Sequence, residues 1–178
     1  MTHVIFYDST GRICLQMQGT SEVIDQTVEL HPEWSFIFGM TDADTHYIVE
    51  GQLVPMPKRP SRYHQFGWQS KQWTLSAEAL EQARGETITA INTQAGSIIL
   101  ETVPLWKQNN LTAQAIELQA IGRDNWTELE QEEWITSQKT WKWIKSIRIA
   151  SNQATAAILQ AETIEVMFEV RDTWSRSL

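Results

Sequence analysis

A single cysteine in 178 residues excludes an internal disulfide, and four scattered histidines beside it give zinc no ligand cluster. That cysteine, Cys14, lies in the apolar run Ile13-Cys14-Leu15 and reads as a small buried hydrophobe. No apolar run approaches the ~18–20 residues of a bilayer-spanning helix, so membrane insertion is not expected. The N-terminus, MTHVIFYDSTGR, lacks a basic leader and an apolar stretch, so no cleaved signal peptide is expected. The N-x-T sequons at Asn110 and Asn125 then read as chance. Positive charge is also short: 14 Lys and Arg against 22 Asp and Glu give a net charge of -8. Phosphate contacts need a basic surface, which argues against nucleic acid and suits protein partners. The chain carries no P-loop, dinucleotide fingerprint, H-E-x-x-H, G-x-S-x-G or C-x-x-C motif. No cofactor, metal or catalytic residue is assigned from it.

Proline is sparse except in one place. Pro55, Pro57 and Pro60 crowd a six-residue stretch that cannot be a helix or a central strand. The chain changes character there. Before it, Val4–Tyr7 and Ile13–Met17 flank the turn residues Asp8-Ser9-Thr10-Gly11 and read as a hairpin. Trp34–Phe38 and Tyr47–Val49 read as further strands, and Gln52–Val54 as a return across Glu50-Gly51. The expectation is one small antiparallel sheet of four or five strands over residues 1–54. Residues 55–75 follow as a stiff proline-rich linker with an aromatic segment, Tyr63–Trp73, that suits another hairpin. Residues 76–178 read as mainly helical, so the fold class is α+β.

Within the helical region, Ser76 suits an N-cap. Leu80, Ala83, Thr87, Ile91, Ala95, Ile98 and Thr102 recur at helical steps up to the break at Pro104. Gly96 suggests a close helix approach. A second helix is predicted from Leu105 to Ile121, ended by Gly122, with Leu111, Ala115 and Leu118 on one face. Thr127-Glu128-Leu129-Glu130 is a capping box. It opens a helix predicted to run from Glu128 to about Gln160, roughly 50 Å at 1.5 Å per residue. Trp134, Trp141, Ile144, Arg148 and Ser151 set its expected apolar stripe, and its length calls for a bundle or coiled-coil partner. Residues 164–171 fit both strand and helix periods; the absence of a breaker after the preceding helix favours helix.

Three features of the chain carry side chains of chemical use. Asp42-Ala43-Asp44-Thr45-His46 has metal-ligating and acid–base side chains, yet reads better as a polar loop using aspartate for turn geometry. Lys139, Lys142, Lys145 and Arg148 interleave with Trp141 and Trp143, which resembles a grip on single strands but reads better as a solvated face. Eight of the nine tryptophans follow residue 60. Core packing is expected for most. Trp141 and Trp143, about 200° apart on a helix, cannot both enter one core, so one is expected to meet another molecule. Trp106, Trp134, Trp141 and Trp143 are the candidate interface residues.

YIVEGQLVPMPKRP at 47–60 followed by HQFGWQSKQW at 64–73, with Tyr47, Gly51, Leu53, Phe66, Trp68, Lys71 and Trp73 as key positions, resembles small tail-fibre and tail-tip accessory proteins of tailed bacteriophages. VPLWKQNNLTAQAIEL at 103–118 and the Trp-rich segment at 125–152 resemble their helical segments. Gly67 stands where an acidic residue is expected, a mild departure. The resemblance covers most of residues 47–152. It implies a virion component of the tail tip, baseplate or fibre base, made in the host cytoplasm. It would be oligomeric and in contact with other phage tail proteins. It carries no catalytic residues. A tail-fibre assembly chaperone and a module binding a host surface glycan through tryptophans are the alternatives. An enzyme centred on Asp42, Asp44 and His46 is the weakest reading.

Overall fold

The computed structural model describes residues 1–177 and is α+β: small antiparallel sheets precede a mainly helical region. It forms two compact units, the first Met1–Ser76 and the second beginning at Ala77.

In the first unit, β1 (Thr2–Tyr7) is the central strand between β2 (Ile13–Gly19) and β3 (Ser35–Phe38). Flanked on both edges, it buries Val4, Ile5 and Phe6 completely. Val4 and Phe6 share one face, as strand alternation requires, and pack with Ile24, Met17, Val28 and Trp34. Ile24 and Val28 come from α1 (Ser21–Leu30), a helix not foreseen in the sequence. Their four-residue spacing is its inward face. The single sheet expected over residues 1–54 is instead divided: β4 (His46–Val49) and β5 (Gln52–Pro55) form a separate hairpin. Its two-residue turn places Glu50 and Gly51 at φ 51° and 78°, both left-handed, as a type I′ turn demands. A third hairpin pairs β6 (Gln65–Gly67) with β7 (Gln72–Thr74).

The proline-rich segment is pinned within this unit. Met56 N donates to Thr45 O at 2.7 Å, Trp73 Nε1 donates to Pro57 O at 2.7 Å, and the Arg59 guanidinium lies over the Trp73 ring.

The second unit contains α2 (Ala77–Thr102), α3 (Leu105–Ile121), a 3-10 turn at Arg123–Asn125, α4 (Glu128–Gln160) and α5 (Ile164–Arg176). α2, α4 and α5 pack on one another, and α3 lies along α4. The predicted limits of α3 and α4 match, and the ambiguous final stretch is helix. The Thr127–Glu130 capping box is formed in both directions. Thr163 Oγ1 likewise accepts from Val166 N to start α5. α4 buries Ser137, Ile144, Ile147, Ser151, Ala154 and Ile158, a heptad seam. Ile147 occupies the position expected of Arg148, which is exposed. The partners that its length called for include α2 and α5 of the same chain. α2 answers with Ala83, Thr87, Ile91, Ala95 and Ile99 at four-residue steps. Gly96 marks no close approach: a methyl group added there would meet nothing within 4 Å.

Candidate functional site

The four candidate tryptophans do not form one cluster. Trp106, near the start of α3, is 66% exposed. Trp134 is half-buried against Trp126 with ring centroids 5.3 Å apart, and Trp126 Nε1 donates to Leu118 O at 2.7 Å. That pair closes the α3–α4 connection, so Trp134 has an intramolecular use. Trp141 and Trp143 are both half-buried, and neither enters the core as one was expected to. The reason is geometric: the buried Ile144 and Ile147 lie in the arc between them, so each indole flanks the seam from one side. The wider expectation of core tryptophans also fails. Only Trp174 is buried, and seven of the nine sit half-exposed at the margin of the packing.

The basic stripe Lys139, Lys142, Lys145 and Arg148 is exposed along α4. Asp42 builds a turn: its backbone oxygen accepts from Thr45 N and His46 N, both at 3.1 Å, and its Oδ1 accepts from Asp44 N at 2.9 Å. Thr45 Oγ1 pairs with His46 Nδ1 at 2.9 Å. Among the described residues, no three His, Cys, Asp or Glu side chains are grouped to hold a metal, and no helix is long and apolar enough to cross a membrane.

Cys14 is exposed rather than buried. β2 is an edge strand, and this part of it leaves both Cys14 and its neighbour Leu15 exposed. Partial burial and the charge of Asp8 push its thiol above the ordinary 9.0.

Two features were missed in the sequence. The first is a polar pocket of about 570 Å³ in the first unit, lined by Ser9, Thr10, Glu50, Trp68, Gln69 and Lys71 among others. Three hairpin turns meet there. Gly11 allows it: Ile48 N donates to Gly11 O at 2.9 Å, and a Cβ on Gly11 would lie 1.9 Å from Ile48 O. The Lys71 ammonium donates to Thr10 O and sits over the Tyr47 ring. Asp8 shapes the first turn by accepting from Thr10 N at 2.8 Å and Arg12 N at 3.1 Å. Burial pushes its pKa up, but these bonds and the Thr10 hydroxyl outweigh it and hold the carboxyl below 3.8.

The second is the outer face of α3. Leu118 is buried on the inner side, with Leu111 and Ala115 half-buried beside it. Trp106, Asn109, Ala113, Ile116 and Ala120 are exposed on the opposite side; Ile116 and the flanking Leu105 are each 63% exposed. The signal was present as a second, uncharged series at three- and four-residue steps, apolar except at Asn109. Leu129, Ile135 and Ile149 of α4 are exposed as well.

No protein-family model matches the chain, and neither a curated protein nor a solved structure matches it.

Proposed function

We propose that the chain is a structural subunit of a bacteriophage tail, at the tip, baseplate or fibre base, working through protein–protein contacts. The observation that carries this reading is the exposure of large apolar side chains on its helical unit, above all Leu105, Trp106 and Ile116. Leu105 and Trp106 are adjacent and Ile116 lies further along the same helix, and large apolar groups left exposed on one helix suit a contact site. The sequence resemblance supports the tail assignment, and the acidic charge suits assembly with protein rather than nucleic acid. Quantitative mass spectrometry of purified phage particles from cells making this chain tests it. Presence at a copy number matching tail symmetry is the expected result. Absence from particles, with the chain abundant in lysate, would make it an assembly chaperone instead.

The polar pocket favours a second reading, a glycan site. An indole beside hydroxyl, amide and carboxylate groups is the chemistry that holds a sugar ring. Calorimetric titration of host surface glycans against the wild-type chain and Trp68→Ala decides it: heat lost in the variant supports the site, and flat titrations for both remove it.

A further inference from the structure

A cleft of about 350 Å³ lies in the second unit where α2, the start of α3 and the middle of α4 meet, within the ~300–1,000 Å³ range of small-molecule sites. Its apolar lining is aliphatic throughout: Ala95, Ile99 and Leu100 of α2 and Leu105 of α3, with no aromatic ring for a flat ligand to stack on. Gly96 leaves the α2 side open. A Cβ there would meet nothing within 4 Å, so the missing side chain is part of the space. The α2 residues that line the cleft run from Asn92 to Leu100, about 12 Å at 1.5 Å per residue. That length suits an extended chain.

One charge lines the cleft. Arg148 of α4 has no carboxylate partner, and its guanidinium donates to no acceptor among the described residues. The other polar groups of the lining, Asn92, Gln108 and Ser151, are neutral. Two of these are used within the chain: Gln108 Nε2 donates to Val103 O at 2.8 Å, and Ser151 Oγ donates to Arg148 O at 3.1 Å. Leu105 opens α3 without a side-chain cap, so the positive end of that helix borders the cleft. A single free guanidinium in aliphatic surroundings matches one carboxylate, whose two oxygens fit its fork. A phosphate monoester, with a charge of about -2, would be left half-neutralised.

We propose that this cleft binds an aliphatic monocarboxylate, a medium-chain fatty acid, with its carboxylate on Arg148 and its chain along α2 over Gly96. The site stands apart from the tail reading and does not depend on it.

Calorimetric titration of the full chain with decanoate, octanoate and decyltrimethylammonium, up to roughly 1 mM, tests this. Decanoate should bind at one equivalent per chain. Octanoate should bind roughly tenfold more weakly, since each covered methylene contributes roughly fourfold. The cationic head on the same chain length should not bind. On a chain of net charge -8 that cation is favoured non-specifically, so a preference for the anion reports the site. Arg148→Met keeps an apolar stem without the charge and should weaken decanoate about tenfold or more, whereas Arg148→Lys should retain most of the binding. Gly96→Leu fills the cleft and should abolish binding. Leucine is the better helix former, so helix content and thermal midpoint should not fall. An acetylated tetrapeptide with a leucine carboxylate terminus separates a free fatty acid from a protein C-terminus, and decanoate should bind tighter. No heat from decanoate overturns the proposal, as does equal binding of the anion and the cation or indifference to Arg148→Met. Decanoate binding retained in Gly96→Leu would place the ligand on other exposed apolar surface and overturn it too. A peptide that outbinds decanoate overturns the fatty-acid assignment.

Discussion

Arg84 on α2 donates from Nη2 to the backbone oxygen of Ala161 at 2.7 Å, just past the last residue of α4. Its Nε donates to Ile158 O at 3.3 Å, and its other nitrogen pairs with Glu81. One cation thus satisfies two carbonyls at the negative end of a 33-residue helix and ties that end to α2. The bond also fixes the relative direction of the two helices, because the start of α2 meets the end of α4.

Arg84→Ala should cost about 2 kcal/mol, since hydrogen bonds from a charged donor contribute ~1.5–3 kcal/mol each and the two freed carbonyls regain only part of that from water. Glu81→Ala should cost under ~0.5 kcal/mol, because Glu81 is largely exposed. Urea unfolding of both variants checks the ordering. Equal costs would mean that the ion pair, not the carbonyl contacts, holds the helix end.

The capping box carries a pH signature. Thr127 N donates to Glu130 Oε2 at 2.7 Å, and the Thr127 hydroxyl donates to the same oxygen, which together hold the Glu130 carboxyl below its ordinary 4.5. A depressed carboxylate stabilises the fold above its unfolded pKa, and that contribution is lost as pH falls through the folded value. The wild-type chain should therefore melt above Glu130→Gln at neutral pH, with the gap closing as the pH falls through the lowered Glu130 pKa. A gap that persists in acid would show that Glu130 does not act through its charge. Thr127→Ala should cost ~1 kcal/mol at neutral pH.

Trp174 and Trp106 separate packing from contact. Trp174 is buried on α5, and Trp174→Ala should cost ~3–5 kcal/mol. Trp106→Ala should cost under ~0.5 kcal/mol in the isolated monomer, because the ring is already in water. Thermal melts of dilute protein measure both. A large loss from Trp106→Ala would place that indole in the core of its own chain.

Cys14 should react with a thiol reagent in the native protein without denaturant, one equivalent per chain, since it is exposed on an edge strand. Its raised pKa makes that reaction slow at neutral pH and faster toward pH 9. A thiol that labels only after unfolding would return Cys14 to the interior.

The helical unit was the more legible half because its signals are local. The capping box at Thr127 and Glu130 and the glycine at 122 fix where α4 begins and α3 ends. The hairpin turn at Glu50-Gly51 was equally readable from its residues. What failed depends on neighbours distant in sequence. α1 has only Ile24 and Val28 on its inward face, and it forms because the Val4–Phe6 surface of β1 covers them. Cys14 reads as core until the strand order makes β2 an edge. Arg148 and Ile147 are adjacent, so a small change in helix phase exchanged an exposed cation for a buried isoleucine. Of the four candidate tryptophans, only Trp106 is mostly exposed; Trp134 is used against Trp126 and the other two flank the seam. The full outer stripe of α3 was hidden because a helix with apolar residues on two sides gives no single dominant period.

The most direct measurement of the central claim is the incorporation of the chain into purified particles, wild type against the doubly substituted Trp106→Glu, Ile116→Glu chain. Equal expression and equal helix content are required of both. The wild type should be present at a copy number set by tail symmetry, and the variant should be depleted by about tenfold or more, as loss of a contact anchor requires. A wild type missing from particles, or a variant incorporated as well as the wild type, would contradict the assignment of this helical face to assembly.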